Sequence, residues 1–129
     1  MKPFKIHGTT VNGVLYLTET YATNSHWIAL RECCDLGKVE GDAIWSRDVW
    51  WERILEPWKP LNLIELKKDK AIEHRGLKAV SYWSPGGVRV ALDARYARAF
   101  RLKSVWVDKG HPTLVANTPH WEVLVAPLQ

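Results

Sequence analysis

Four residues, Ser84-Pro85-Gly86-Gly87, stand between two short runs with strand character, KAVSYW and VRVAL. Proline presets the φ that a turn needs at its first central position, and glycine accepts the positive φ that other residues avoid. The two runs are expected to form an antiparallel hairpin, and whatever follows must pack on that sheet. Asp93 is placed to cap a helix with apolar positions Leu92, Tyr96 and Phe100, while Arg95, Arg98 and Arg101 recur at i, i+3 and i+6 as a row on a different side. Three later segments, SVWV, PTLVAN and WEVLVAP, read as strands divided by Asp108-Lys109-Gly110 and Asn117-Thr118-Pro119.

The first half is less regular. GTTVNGVLYLTETYAT reads as a strand or hairpin, with Asn12-Gly13 as its turn signal. SHWIALRECCDLG suits either a helix stopped by Gly37 or a continued sheet, and the strand reading is carried through Leu30. A core-facing helix is expected over roughly Asp42 to Glu56, capped by Asp42 and stopped by Pro57, with Trp51, Ile54, Leu55 and Trp58 at spacings of three and four. Trp50 and Trp51 project about 100° apart on such a helix. Either one of them sits at a protein interface, or both belong to a wide apolar stripe under a loop. LNLIEL reads as a strand, KKDKAIEHRG as a polar connection or short helix, and LKAVSYW as another strand. The expected fold is α+β: one domain over residues 1–129, a mainly antiparallel sheet with two or three short helices packed on one face.

A chain of 129 residues, 47% hydrophobic and 25% charged, can bury one core without staples. Eight tryptophans are unusual at this length and imply an aromatic-heavy core, with any remainder on a binding face. Cys33 and Cys34 are adjacent, which is poor geometry for a mutual disulfide, and no CxxC spacing supports a metal, so they read as two half-buried hydrophobes. The opening MKPFKIHG has no apolar run of signal-peptide type and no stretch reaches the roughly 18 apolar residues of a membrane span, so a cytoplasmic protein without membrane contact is expected.

Charge is concentrated. Between residues 89 and 109 six cations, Arg89, Arg95, Arg98, Arg101, Lys103 and Lys109, face only Asp93 and Asp108, which accounts for the net +4 of the chain. Lys67, Lys68, Lys70, Arg75 and Lys78 form a second cluster diluted by Glu65, Asp69 and Glu73. Concentrated positive charge is the footprint of a phosphate backbone. Arg89, Arg95, Arg98, Arg101 and Lys103 are therefore the candidate contacts to duplex DNA, and the alternative is a solvated helix face. Catalysis has little support: His7, His26, His74, His111 and His120 show no HxxxH or HExxH spacing, and there is no phosphate loop or GxSxG elbow. His111 and His120, flanking a loop with Asn117, are the one pair that a small histidine enzyme would use. No cofactor or metal is expected. Tryptophan and arginine also lead among interface hot spots, so a small viral or mobile-element protein that binds and inhibits a host protein is the other binding class.

VRVALDARYARAF, a strand, HPTLVAN and the closing WEVLVAPLQ resemble the last half-domain of bacterial and phage DNA polymerase sliding clamps, with Tyr96, Pro112, Pro127 and Leu128 at matching positions. Ala22-Thr23-Asn24-Ser25-His26 stands where clamp-like phage proteins carry an Ala-Thr-Asp-Gly-His type turn. The resemblance covers about the last 50 residues. It implies a non-enzymatic domain whose helices line a positive channel around duplex DNA, assembled into a homo-oligomeric ring. Two departures stand out: no first helix precedes the N-terminal strands, and Ala126 replaces the methionine of the partner-peptide pocket.

Overall fold

The computed structural model of the chain describes residues 2–6, 14–46, 58 and 62–129. The first half contributes β1 (Phe4–Lys5), β2 (Tyr16–Leu17), β3 (Tyr21–Thr23), β4 (Trp27–Leu30), β5 (Cys34–Asp35) and β6 (Ile44–Trp45), with 3-10 turns over Arg31–Cys33 and Gly37–Asp42. The second half contributes β7 (Leu63–His74), β8 (Leu77–Trp83), β9 (Arg89–Asp93), α1 (Ala94–Ala99), β10 (Ser104–Asp108), β11 (His111–Ala116) and β12 (Val123–Val125). Ten strands form one sheet in the order β6-β2-β3-β4-β12-β11-β10-β7-β8-β9, antiparallel except for β2 with β6, while β1 and β5 pair in parallel apart from it. Sheet dominates: among the described residues 49% are strand and 14% helix, with α1 the one α-helix.

The Ser84–Gly87 turn forms as its residues require. Gly87 takes φ +89°, its N–H donates to the Ser84 carbonyl at 3.0 Å, and the Ser84 N–H donates to the Val88 carbonyl at 3.0 Å. β8 and β9 then pair from Trp83 with Arg89 to Ala79 with Asp93. The strand expected through Leu30 is present as β4, and the three later strands are β10, β11 and β12.

Other expectations are corrected. The polar run KKDKAIEH is the distal half of β7 and continues to a two-residue turn, Arg75-Gly76, where φ is +51° and +83°. Positive φ at both central residues is the turn that matches the twist of a hairpin. Asp42 ends a 3-10 turn instead of capping a helix, and Ile44 and Trp45 are extended; the remainder of the expected helix, with Trp50 and Trp51, lies outside the described residues. The hairpin bend seen in the first half is at Thr18–Thr20, where the Thr18 hydroxyl accepts from the Thr20 and Tyr21 N–H groups, whereas Asn12-Gly13 lies outside the described residues. The described tryptophans are not mainly core. Of the described ones only Trp27 is fully buried, while Trp45 and Trp83 are 55% and 40% exposed.

The core joins both halves. Phe100, just past α1, meets Phe4 and Trp27 edge-on at centroid distances of 5.5 and 5.2 Å. Around them pack Leu17, Leu66, Tyr82, Leu92, Val105 and Val125, from six different strands or their ends. Asn24 ties the turn before β4 to α1: its Oδ1 accepts from the His26 and Trp27 N–H groups and its Nδ2 donates to the Tyr96 hydroxyl at 3.1 Å. The chain beyond β12 then turns to the other end of the sheet. Ala126 N–H donates to the His26 carbonyl beside β4, and two residues later Leu128 N–H donates to the Ala91 carbonyl on β9, both at 2.8 Å. The six strands from β12 to β9 are thereby curled into a near-barrel, and its seam is the tail of its own first strand.

Candidate nucleic-acid interface

The five expected contacts do not form one surface. Asp93 caps α1 by accepting from the Arg95 N–H at 2.9 Å and also holds the Arg95 guanidinium, Nε to Oδ1 at 3.1 Å and Nη2 to Oδ2 at 2.7 Å. The hydrogen bonds from Arg95 keep the Asp93 carboxyl below its ordinary range, and the same pairing raises Arg95. Arg95 carries a charge that is already compensated.

Arg101 is not on the helix. α1 ends in a Schellman motif, with the Leu102 N–H donating to the Ala97 carbonyl at 2.9 Å and the Arg101 N–H to that of Arg98 at 3.2 Å. Arg101 therefore occupies the left-handed position, φ +51°, where glycine is usual. Its guanidinium donates to the Lys2 carbonyl at 2.6 Å and stands 4.7 Å from the Phe4 ring centroid, fastening the N-terminal segment to the end of α1. The expected row of three reduces to Arg98.

Arg98 is exposed and faces a groove of about 660 Å³ between α1 and the β7–β8 hairpin. Lys68 and Lys78 share that groove, Ala71, Ala79, Ala94 and Ala97 give it a low floor, and Glu73 is its acidic side chain. Lys103 is exposed nearby, since its carbonyl accepts from the Lys68 N–H at 3.3 Å. None of Lys68, Lys78, Arg98 and Lys103 is in an ion pair among the described residues. Arg89 lies elsewhere, on β9 directly opposite Trp83 of β8, its guanidinium 5.8 Å from the indole centroid. Lys68 and Lys78 belong to the cluster read as diluted by acids. Only strand register brings them to Arg98, which sequence spacing could not show.

Asn117, between the two candidate histidines, is engaged in the fold. Asn117 Oδ1 accepts from the Glu122 and Val123 N–H groups, a structural loop closure, and His120 is exposed beside it. Cys33 and Cys34 are half-buried. Burial, with the Glu122 carboxylate that accepts from the thiol at 3.2 Å, pushes Cys33 up to about 11, and burial pushes Cys34 up to about 12, which favours the protonated thiol in both at neutral pH. Among the described residues no three His, Cys, Asp or Glu side chains converge as a metal site. No helix among them is long and apolar enough to cross a membrane.

No protein-family model, curated protein or solved structure matches this chain.

Proposed function

We propose that this chain is a non-enzymatic domain that binds nucleic acid through the groove between β7, β8 and α1. The observation that carries the reading is the convergence of Lys68, Lys78 and Arg98 on one groove without internal ion pairs among the described residues. Three like charges around a floor of alanines oppose one another, and Glu73 offsets only one of them. Phosphates supply the missing counter-charge, and the released counterions make such binding strongly salt-dependent.

The test is a fluorescence titration of duplex and single-stranded DNA at several salt concentrations. Replacing Lys68, Lys78 and Arg98 together by alanine should flatten the salt slope by close to three units on duplex, at roughly 0.9 per phosphate contact. Wild-type protein that shows no salt-sensitive binding to either form at low ionic strength overturns the reading. A protein partner is the second reading, favoured by the other end of the sheet: Ile44 and Trp45 are 50% and 55% exposed on the edge strand β6, with the Arg31 guanidinium 4.4 Å from the Trp45 centroid. That reading predicts binding that added salt barely weakens and that Trp45→Ala abolishes.

A further inference from the structure

The groove leaves a second arrangement unused. Trp83, the last residue of β8 before the Ser84–Gly87 turn, is 40% exposed. Register places it directly opposite Arg89 on β9 and Lys67 on β7, and Lys67 in turn opposite Ser104 on β10. Residues directly opposite share a face, with Cβ atoms roughly 5 Å apart. A row of Arg89, Trp83, Lys67 and Ser104 therefore crosses four strands with the indole between two cations. Neither cation is in an ion pair among the described residues. Two of the three acids on β7 stand to either side of the row: Asp69 accepts from the Ser81 hydroxyl at 3.4 Å, and Glu65 is opposite Trp106. The Arg89 guanidinium stands over the indole at 5.8 Å from its centroid, the limit of cation–π reach, and Trp83 still keeps 40% of its surface exposed. Beside the row opens a hollow of about 430 Å³, whose lining includes Ser81, Arg89 and Leu128.

An aromatic plane with a cation on each side fits one nucleotide, its base on the ring and its two phosphates on the flanking charges. Paired bases already stack within a duplex and expose only their edges, so this arrangement suits an unpaired base. We propose that Trp83, flanked by Lys67 and Arg89, is a stacking platform for single-stranded nucleic acid. The proposal rests on the nucleic-acid reading of the groove and narrows its ligand from duplex to single strand. Lys67 and Lys68 are consecutive on a strand and point to opposite faces, so platform and groove are separate contacts that separate substitutions can address.

The probes are a labelled twelve-nucleotide oligo(dT) and a strand of equal length carrying abasic residues, titrated against wild type, Trp83→Ala, Trp83→Phe and the Lys68, Lys78, Arg98 triple-alanine variant. Trp83→Ala should weaken oligo(dT) binding about tenfold, while its affinity for the abasic strand and its salt slope stay those of wild type. Trp83→Phe should keep most of the preference for bases, and the triple variant should lose salt slope on both strands. Circular dichroism confirms that each variant folds. If Trp83→Ala changes both strands equally, or neither, while wild type still binds with salt sensitivity, the platform is refuted and the groove stands. If wild type binds neither strand, the platform falls, and the groove reading falls with it when duplex DNA also fails to bind.

Discussion

Asn24 is 3% exposed and holds three parts of the molecule at once, the turn before β4, β4 itself and α1 through the Tyr96 hydroxyl. Removing the carboxamide strands the buried Trp27 N–H and the part-buried His26 N–H, so Asn24→Ala should cost about 2 kcal/mol in urea unfolding, and Tyr96→Phe, which loses only the shared bond, about 1 kcal/mol. A double-mutant cycle should show the two losses to be less than additive. Tyr82 makes a different prediction. Burial pushes its phenol up to about 12 from 10.0, and its hydroxyl donates to the Leu102 carbonyl at 2.6 Å. A group whose folded pKa is raised contributes stability in full below the unfolded value and loses it as pH climbs through the folded one. Thermal melts should therefore decline between pH 10 and 12, and Tyr82→Phe should make that decline shallower at a cost of about 1 kcal/mol near neutrality.

At the scale of the element, the β7–β8 hairpin depends on a turn whose two residues both have positive φ. Gly76 at +83° tolerates this and Arg75 at +51° does so at a cost, so Arg75→Asn should raise the melting temperature slightly and Gly76→Val should lower stability by more than about 1 kcal/mol. Because Lys68 and Lys78 stand on this hairpin, Gly76→Val should also weaken the salt-dependent binding. The hairpin shows what was legible. KAVSYW, VRVAL and SVWV each have one face on the core and show it as alternation, while WEVLVAP is an apolar run buried on both faces, so all four strands could be read directly. The distal half of β7, from Lys67 to His74, contributes nothing to the core cluster, and without a buried face there is no period to read. The end of α1 was hidden for a related reason: the stop is a left-handed residue, and here it is arginine instead of the glycine that would have announced it. Of the site, Arg98 was visible as a cation, but its partners on β7 and β8 are joined to it only by register.

At the scale of the whole molecule, the end strands of the large sheet are β6 and β9. The ring implied by the clamp resemblance needs complementary free edges at its two ends, and part of the β9 edge is already taken by Leu128. The expected mass by light scattering is therefore near the 14.8 kDa of one chain, and a mass several times larger would restore the ring. Removing residues 127–129 should lower stability by about 1–2 kcal/mol and, by baring the β9 edge, make the mass rise with concentration. The same architecture sets an order of assembly. β7, β8 and β9 are joined by short turns and can pair as soon as they exist, whereas β4 must wait for β12, which is made last, so that Trp27 meets Val125 across almost the entire chain. During synthesis on the ribosome β4 emerges well before β12 and completes its pairing only once β12 has followed, so the β4 edge should be the part of the nascent chain that chaperones guard in the interval.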